Sequence, residues 1–125
     1  MQFIDRALAH VFERCSVDPA RIVVEGFSDG ATYALGLGLA NGDLFPRVVA
    51  FSPGGIVRSD TPHTGTPEFF ISHGRQDPIL PIDLASRAIV TDLRDDGYTV
   101  QYYEFDGGHE ILPEVAELAA VWLTR

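Results

Sequence analysis

A chain of 125 residues that is 46% hydrophobic and 22% charged has the size and make-up of one globular domain with a buried core, which excludes a disordered or fibrous polymer. A formal net charge of −9 with no basic run sets the surface against phosphate backbones and anionic lipid heads, so neither nucleic acid nor a membrane is an expected partner. The single cysteine, Cys15, makes no internal disulfide, no metal-type Cys/His cluster is present, and residues 1–14 lack the basic start and apolar stretch of a signal peptide, so a cytoplasmic location is expected.

The first segment reads as a helix, because Phe3, Ile4, Ala7, Leu8, Val11 and Phe12 recur at three- and four-residue spacing and share one face. It should end before Pro19. Ile22, Val23 and Val24 form a β-branched apolar run without polar alternation, the pattern of a strand buried on both faces of a parallel sheet. That strand runs into Gly26-Phe27-Ser28-Asp29-Gly30. Ala31 to Ala40 then reads as a helix apolar nearly all round, which should be central and well covered. Asn41-Gly42-Asp43 ends it with turn chemistry. Val48 to Phe51 is a second buried strand, closed by Ser52-Pro53-Gly54-Gly55, and residues 56–67 form a polar loop. Phe69 to Ser72 is a third strand, closed by His73-Gly74. A helix is predicted from Pro81 to Arg94, with Ile82, Ala85, Ile89 and Leu93 inward and Gly97 as C-terminal cap. Thr99 to Phe105 is the fourth strand. Pro113 to Leu123 is the last helix, with Val115, Leu118, Ala119 and Trp122 inward.

This order predicts a single α/β domain over residues 1–125, with a mostly parallel sheet of about four strands and helices on both faces. Ligands of such sheets bind beyond the carboxyl ends of the strands. Ser28, Asp77 and His109 all fall there.

Gly26-Phe27-Ser28-Asp29-Gly30 matches G-x-S-x-G, in which the serine occupies a tight, strained strand-to-helix turn and side chains at the flanking glycines would collide with neighbouring backbone. The turn lifts the hydroxyl clear of the sheet. It also sets the amide of Asp29 at the positive end of a helix, where it can stabilise an oxyanion. In a chain with 12 glycines the five letters alone are a weak signal, since an ordinary turn holding a serine spells them too. The buried strand before them and the apolar helix after them carry the reading.

A serine hydroxyl needs an adjacent base, and the base needs an orienting carboxylate. In this kind of fold the chain order is Ser, then Asp or Glu, then His. Asp77, in His73-Gly74-Arg75-Gln76-Asp77-Pro78, fills the second place, although Asp-Pro is also common turn chemistry. His109, in Asp106-Gly107-Gly108-His109-Glu110, fills the third, where the alternative is an exposed loop histidine. Among the other histidines, His10 sits on the first helix and His63 in the polar loop. His73 follows a strand directly and is read as shaping the Asp77 loop rather than taking protons. Asp106 is the other candidate acid, but it lies so near His109 that it is read as shaping that loop. Phe27, Ile79, Leu80, Ile111 and Leu112 flank these residues and either line an acyl pocket or pack the core.

Val17-Asp18-Pro19-Ala20-Arg21-Ile22 leading into the G-x-S-x-G turn resembles the phospholipase/carboxylesterase group of α/β-hydrolases, as do Phe51-Ser52-Pro53-Gly54-Gly55, His73-Gly74-Arg75-Gln76-Asp77-Pro78 and Gly107-Gly108-His109-Glu110-Ile111. That group includes acyl-protein thioesterases and small bacterial carboxylesterases. The resemblance covers nearly the whole chain. It implies Ser28 as nucleophile, Asp77 as orienter and His109 as base, acting on carboxylic esters, in some members on thioesters or lysophospholipids, with no cofactor or metal. Members are considerably longer. Several strands precede the segment that begins here and carry the second oxyanion-hole donor, near a His-Gly-rich motif. No His-Gly-Gly occurs in this sequence, so the resemblance is to the C-terminal half, a truncated α/β-hydrolase fold.

The strand around Val23 would then have one open side, and an apolar edge invites pairing with another chain. A homo-oligomer joined near that strand, or through exchanged elements, is therefore expected. Loss of one oxyanion donor costs on the order of 10²–10³ in kcat, so a weak activity is expected unless a partner subunit or the loops around Ser28 replace it. The reading is a serine carboxylesterase for short-chain esters, its activity rising as His109 loses its proton. Two alternatives stand beside it: a catalytically silent fragment that only binds or assembles, and a thioesterase, peptidase or lysophospholipase on the same three residues, since fold and triad do not set the substrate.

Overall fold

The computed structural model describes residues 21–56 and 62–125, so the helix expected over residues 3–12, with His10 and Cys15, lies outside the described residues. Strand β1 (Val23–Phe27) leads through Ser28 into helix α1 (Asp29–Ala40). Then come β2 (Arg47–Phe51), β3 (Glu68–Gly74), α2 (Ser86–Asp95), β4 (Val100–Phe105) and α3 (Pro113–Leu123). The strands form one parallel sheet in chain order, β1-β2-β3-β4. This is the sheet the hydrophobic runs predict, with its carboxyl ends along one rim.

Side chains alternate across a strand, and the two faces hold separate cores. Val48 and Ala50 of β2, with Phe69 and Ile71 of β3, face Ala31, Leu35 and Leu39 of α1 and Ile89 and Leu93 of α2. Val49, Phe51, Phe70 and Phe105 face Val115, Ala119 and Trp122 of α3. Helices thus cover both faces, two on one side and one on the other among the described residues.

Two boundaries beside the Asp77 loop differ from expectation. β3 runs on through His73 and Gly74, because Gly74 still pairs with Phe105 of β4. Helix α2 begins at Ser86 rather than Pro81. Residues 81–85 form a separate turn, closed by Leu84 and Ala85 amides on Pro81 O, and Ala85 (φ −113°, ψ −104°) breaks the helical path. Ile82 and Ala85 are nonetheless buried, as their expected inner face requires. The end of α2 has the Schellman bonds expected of a Gly97 cap, Tyr98 N–H to Leu93 O and Gly97 N–H to Arg94 O. Leu118 is a correction. It lies about 60° round the helix from Val115, on the shoulder of the buried stripe, and is 42% exposed.

Candidate active site

The register brings three loops to one place. Phe27 pairs with Phe51, Phe51 with Ser72, and Gly74 with Phe105, so the chain segments leaving β1, β3 and β4 emerge side by side. Ser28 leaves β1 at φ 59°, ψ −119°. Such a conformation costs a non-glycine residue on the order of 1–3 kcal/mol, and it is the strained turn that G-x-S-x-G requires. The turn is held by the Ser28 amide donating to Phe51 O at 2.9 Å. Gly26 permits it, since a Cβ there would collide with the backbone of Gly30 and Ala31. Asp29 opens α1, so its amide has no acceptor within the helix and points outward from the helix start.

Ser28, His109 and Asp77 form one hydrogen-bonded run. His109 Nε2 stands 2.8 Å from Ser28 Oγ, and His109 Nδ1 stands 2.7 Å from Asp77 Oδ2. A carboxylate accepts, so Nδ1–H donates to Asp77, and the Nε2 lone pair is left to accept from the serine hydroxyl. Phe27 lies against the imidazole with ring centroids 4.8 Å apart. Asp77 is buried. Its Oδ1 accepts the amides of Ile79 at 2.9 Å and Leu80 at 2.8 Å. Burial by itself would raise the Asp77 carboxyl, but the Leu80 amide, His109 and the Ile79 amide outweigh it and hold the group below the ordinary carboxylate range.

The Asp77 and His109 loops are laced together. Arg75 N–H donates to Phe105 O at 2.8 Å, and Gln76 N–H to Gly107 O at 3.0 Å. The Arg75 guanidinium reaches Asp106 at 2.8 Å and Glu104 at 3.4 Å. Asp106 thus binds Arg75 across the two loops, in keeping with its reading as a loop-shaping residue. His73 is wholly buried beneath the Asp77 loop, and His63 is exposed.

The five flanking apolar residues divide. Phe27 and Ile111 are each 39% exposed, and Ile79 is 66% exposed, so they border the site as surface. Leu80 turns onto Gly54, where an added Cβ would stand 3.3 Å from it. Leu112 packs into the core beneath α3, which settles it as packing. A cavity of about 370 Å³, lined by residues that include Arg47 and Leu123, lies at the opposite end of the sheet and touches none of these residues.

Two supporting side chains escaped the sequence reading. Thr32 Oγ1 accepts the Gly54 amide at 2.9 Å and sits 3.4 Å from Ser28 O, tying the loop after β2 to the Ser28 turn. Ser86 binds His73. Thr32 had a usable signal, four residues after Ser28 on the expected helix. Ser86 had none. Among the described residues no group of His, Cys, Asp or Glu is placed to hold a metal ion, and no helix is long and apolar enough to cross a membrane.

A model of the family described as phospholipase/carboxylesterase matches residues 1–122. The putative hydrolase MhqD of Bacillus subtilis (strain 168) is 30% identical over 122 residues, covering 96% of this chain and 58% of that protein. Among solved structures, esterase PE8 superposes with a TM-score of 0.82 at 26% identity, over 97% of this chain and 57% of the other. The Bacillus cereus carboxylesterase gives a TM-score of 0.79 at 24% identity, a likeness of fold, over 98% of this chain and 56% of that one. The chain therefore spans somewhat more than half the length of these relatives.

Proposed function

The chain belongs to the phospholipase/carboxylesterase family, and from that premise we propose that it is a serine carboxylesterase cleaving short-chain carboxylic esters. Ser28 is the nucleophile, His109 the base and Asp77 its orienter. The observation that carries this reading is the unbroken run from Ser28 Oγ through both ring nitrogens of His109 to Asp77 Oδ2, at 2.8 and 2.7 Å.

As Ser28 Oγ bonds to the ester carbonyl carbon, its proton passes to His109 Nε2, and Asp77 stabilises the imidazolium through Nδ1. The carbonyl oxygen becomes an oxyanion beside the Asp29 amide, at the positive end of α1. Collapse breaks the ester C–O bond, and the leaving alkoxide takes the proton from Nε2. Water then attacks the acyl-enzyme with His109 again as base, releasing the acid and free Ser28. No cofactor enters this scheme. Phe27, Ile79, Leu80 and Ile111 offer the acyl group an apolar border. The exposure of Phe27, Ile79 and Ile111 suits a short chain better than a long one. A reducing, cytoplasmic setting belongs to the same proposal and rests on the single cysteine.

Two observations favour a second reading, a silent module that only binds or assembles. The chain spans 58% of its curated relative, and among the described residues β1 pairs on one side only. That edge of β1 is also where we propose a second copy of the chain joins.

The deciding experiment is hydrolysis of p-nitrophenyl acetate and butyrate by the chain beside Ser28→Ala, with fluorophosphonate labelling of both. Loss of hydrolysis and of labelling in the variant is the expected result. Equal rates in both would leave the silent module. Acyl thioesters and lysophospholipids in the same assay rank the finer substrate choices.

A further inference from the structure

The geometry points to a second histidine, His73, and its partner Ser86 as positioning residues for the Asp77 carboxylate, an inference that rests on the esterase reading of the site. His73 lies near the end of β3 and, like Ser86 at the start of α2, has no exposed surface. An imidazole so placed is costly unless both nitrogens are bonded, and both are. Nε2 stands 2.7 Å from Leu80 O, and Nδ1 stands 2.6 Å from Ser86 Oγ. A carbonyl oxygen only accepts, so Nε2 carries the hydrogen. In the neutral ring Nδ1 then accepts from the Ser86 hydroxyl. The Leu80 carbonyl in this way fixes which nitrogen of His73 is the donor, and the Ser86 hydroxyl satisfies the other.

With its N–H given to Leu80 O, the same nitrogen also stands close to Asp77. His73 Nε2 is 3.2 Å from Asp77 Oδ2, the same oxygen that accepts from His109 Nδ1 at 2.7 Å, and neither the His73 nor the Asp77 side chain is exposed. Oδ1 is already occupied by the Ile79 and Leu80 amides. The carboxylate is therefore held by donors on both oxygens and cannot rotate about its terminal torsion without losing several at once. The Leu80 peptide is gripped from both sides, its N–H on Asp77 and its C=O on His73. A carboxylate held this way keeps Oδ2 on His109, and so keeps His109 Nε2 on the Ser28 hydroxyl. Supporting contacts of this kind commonly carry on the order of 10–100-fold in activity.

The test compares His73→Gln, His73→Asn and Ser86→Ala in the whole chain. A glutamine amide reaches the position of Nε2 and keeps a donor there, whereas an asparagine amide reaches only that of Nδ1. His73→Asn should lower kcat about tenfold at unchanged KM, and His73→Gln should stay within about threefold of the parent. The low-field proton resonance of His109 Nδ1–H should shift in His73→Asn and in Ser86→Ala. A purely structural role would lower the melting temperature of both His73 variants alike and leave the resonance in place, and that result overturns the inference. Should His73→Asn fail to fold, the resonance in Ser86→Ala decides. If instead Ser28→Ala retains full hydrolysis, the esterase reading falls. The resonance, which needs no substrate, then still decides whether His73 and Ser86 position Asp77.

Discussion

Replacing Gly74 with alanine tests whether the closeness of the two loops sets the Ser28–His109 geometry. A Cβ at position 74 would stand 2.8 Å from the carbonyl carbon of Gly107 and closer still to the carbonyl oxygens of Gly107 and Gly108, where 3.4 Å is the near limit of ordinary contact. Every atom it meets is backbone, so no side chain can swing aside. In a close-packed interior the loop carrying His109 must retreat by about 1 Å. His109 Nε2, now 2.8 Å from Ser28 Oγ, would then pass beyond hydrogen-bond reach. A misplacement of ~1 Å at a reacting group costs on the order of 10²-fold in rate, and the overpacking itself about 1–3 kcal/mol of stability. The expected outcome for Gly74→Ala is a folded chain, by circular dichroism, with a lower melting temperature. Its kcat on p-nitrophenyl acetate should be reduced about 100-fold and its fluorophosphonate labelling slowed in proportion. A variant that folds and keeps the parent kcat would refute the argument, because it would mean that the loops tolerate separation without losing the Ser28–His109 bond.

Other outcomes follow from the same contacts. Asp77→Asn keeps the shape of the acid but offers His109 an amide in place of a carboxylate. It should cost on the order of 10⁴-fold in kcat, and a loss under tenfold would remove Asp77 from its proposed role. Glu104 is pulled down from 4.5 to about 2, mainly by the paired hydrogen bonds from Arg87, against burial that raises it, with Tyr102 assisting. Asp77 is likewise depressed in the fold. A depressed carboxyl gives stability that is fully present above its unfolded value and is lost as pH falls through the folded one. Urea midpoints should therefore fall between about pH 5 and 2, less steeply in Glu104→Gln, and equal slopes in parent and variant would exclude the Glu104 share. If β1 recruits a second copy of the chain, light scattering at micromolar concentration gives a dimer or larger, and a strictly monomeric mass sinks that proposal.

The elements that periodicity made legible were those whose environment is uniform. Val48 to Phe51 and Phe69 to Ser72 are apolar on both faces because helices cover both, and a continuous apolar run carries that information directly. The positions of Ser28, Asp77 and His109 were legible for a related reason. In an all-parallel sheet every strand delivers its following loop to the same rim, so polar residues just past strand ends converge whatever their distance in sequence. Leu118 fails on the same logic, since spacing marks an apolar stripe but not how wide a stripe the sheet can cover. The start of α2 fails because the Asp77 carboxylate and His73 bind the backbone of residues 79 and 80, and the chain makes an extra turn before the helix can begin. That demand arises from a tertiary contact and leaves no local mark near Pro81.

His73 shows where one residue's sequence reading stops and geometry takes over. Its place after a strand was enough to set it aside from proton transfer and assign it to the Asp77 loop, and its bond to Leu80 O lies there. The two loops' amides and Arg75 hold Asp77 and His109 together from one side, and the buried His73–Ser86 pair holds Asp77 from the other. All of these contacts lie among residues 74–109 and the strand ends that carry them. Among the described residues, these contacts hold Asp77 and His109, while Ser28 is held separately by its bond to Phe51 O and by the close approach of Gly26 to Gly30. Stabilisation of the oxyanion is a separable matter, for which the Asp29 amide is the donor proposed among the described residues. A weakly active chain would on this argument show a deficit common to all its esters, since a missing oxyanion donor is felt at the carbonyl oxygen, while a misaligned base would weigh most on esters with the poorest leaving groups. Comparing p-nitrophenyl with alkyl acetates separates the two. A deficit confined to the alkyl ester would mean that His109 is not held as the structure holds it.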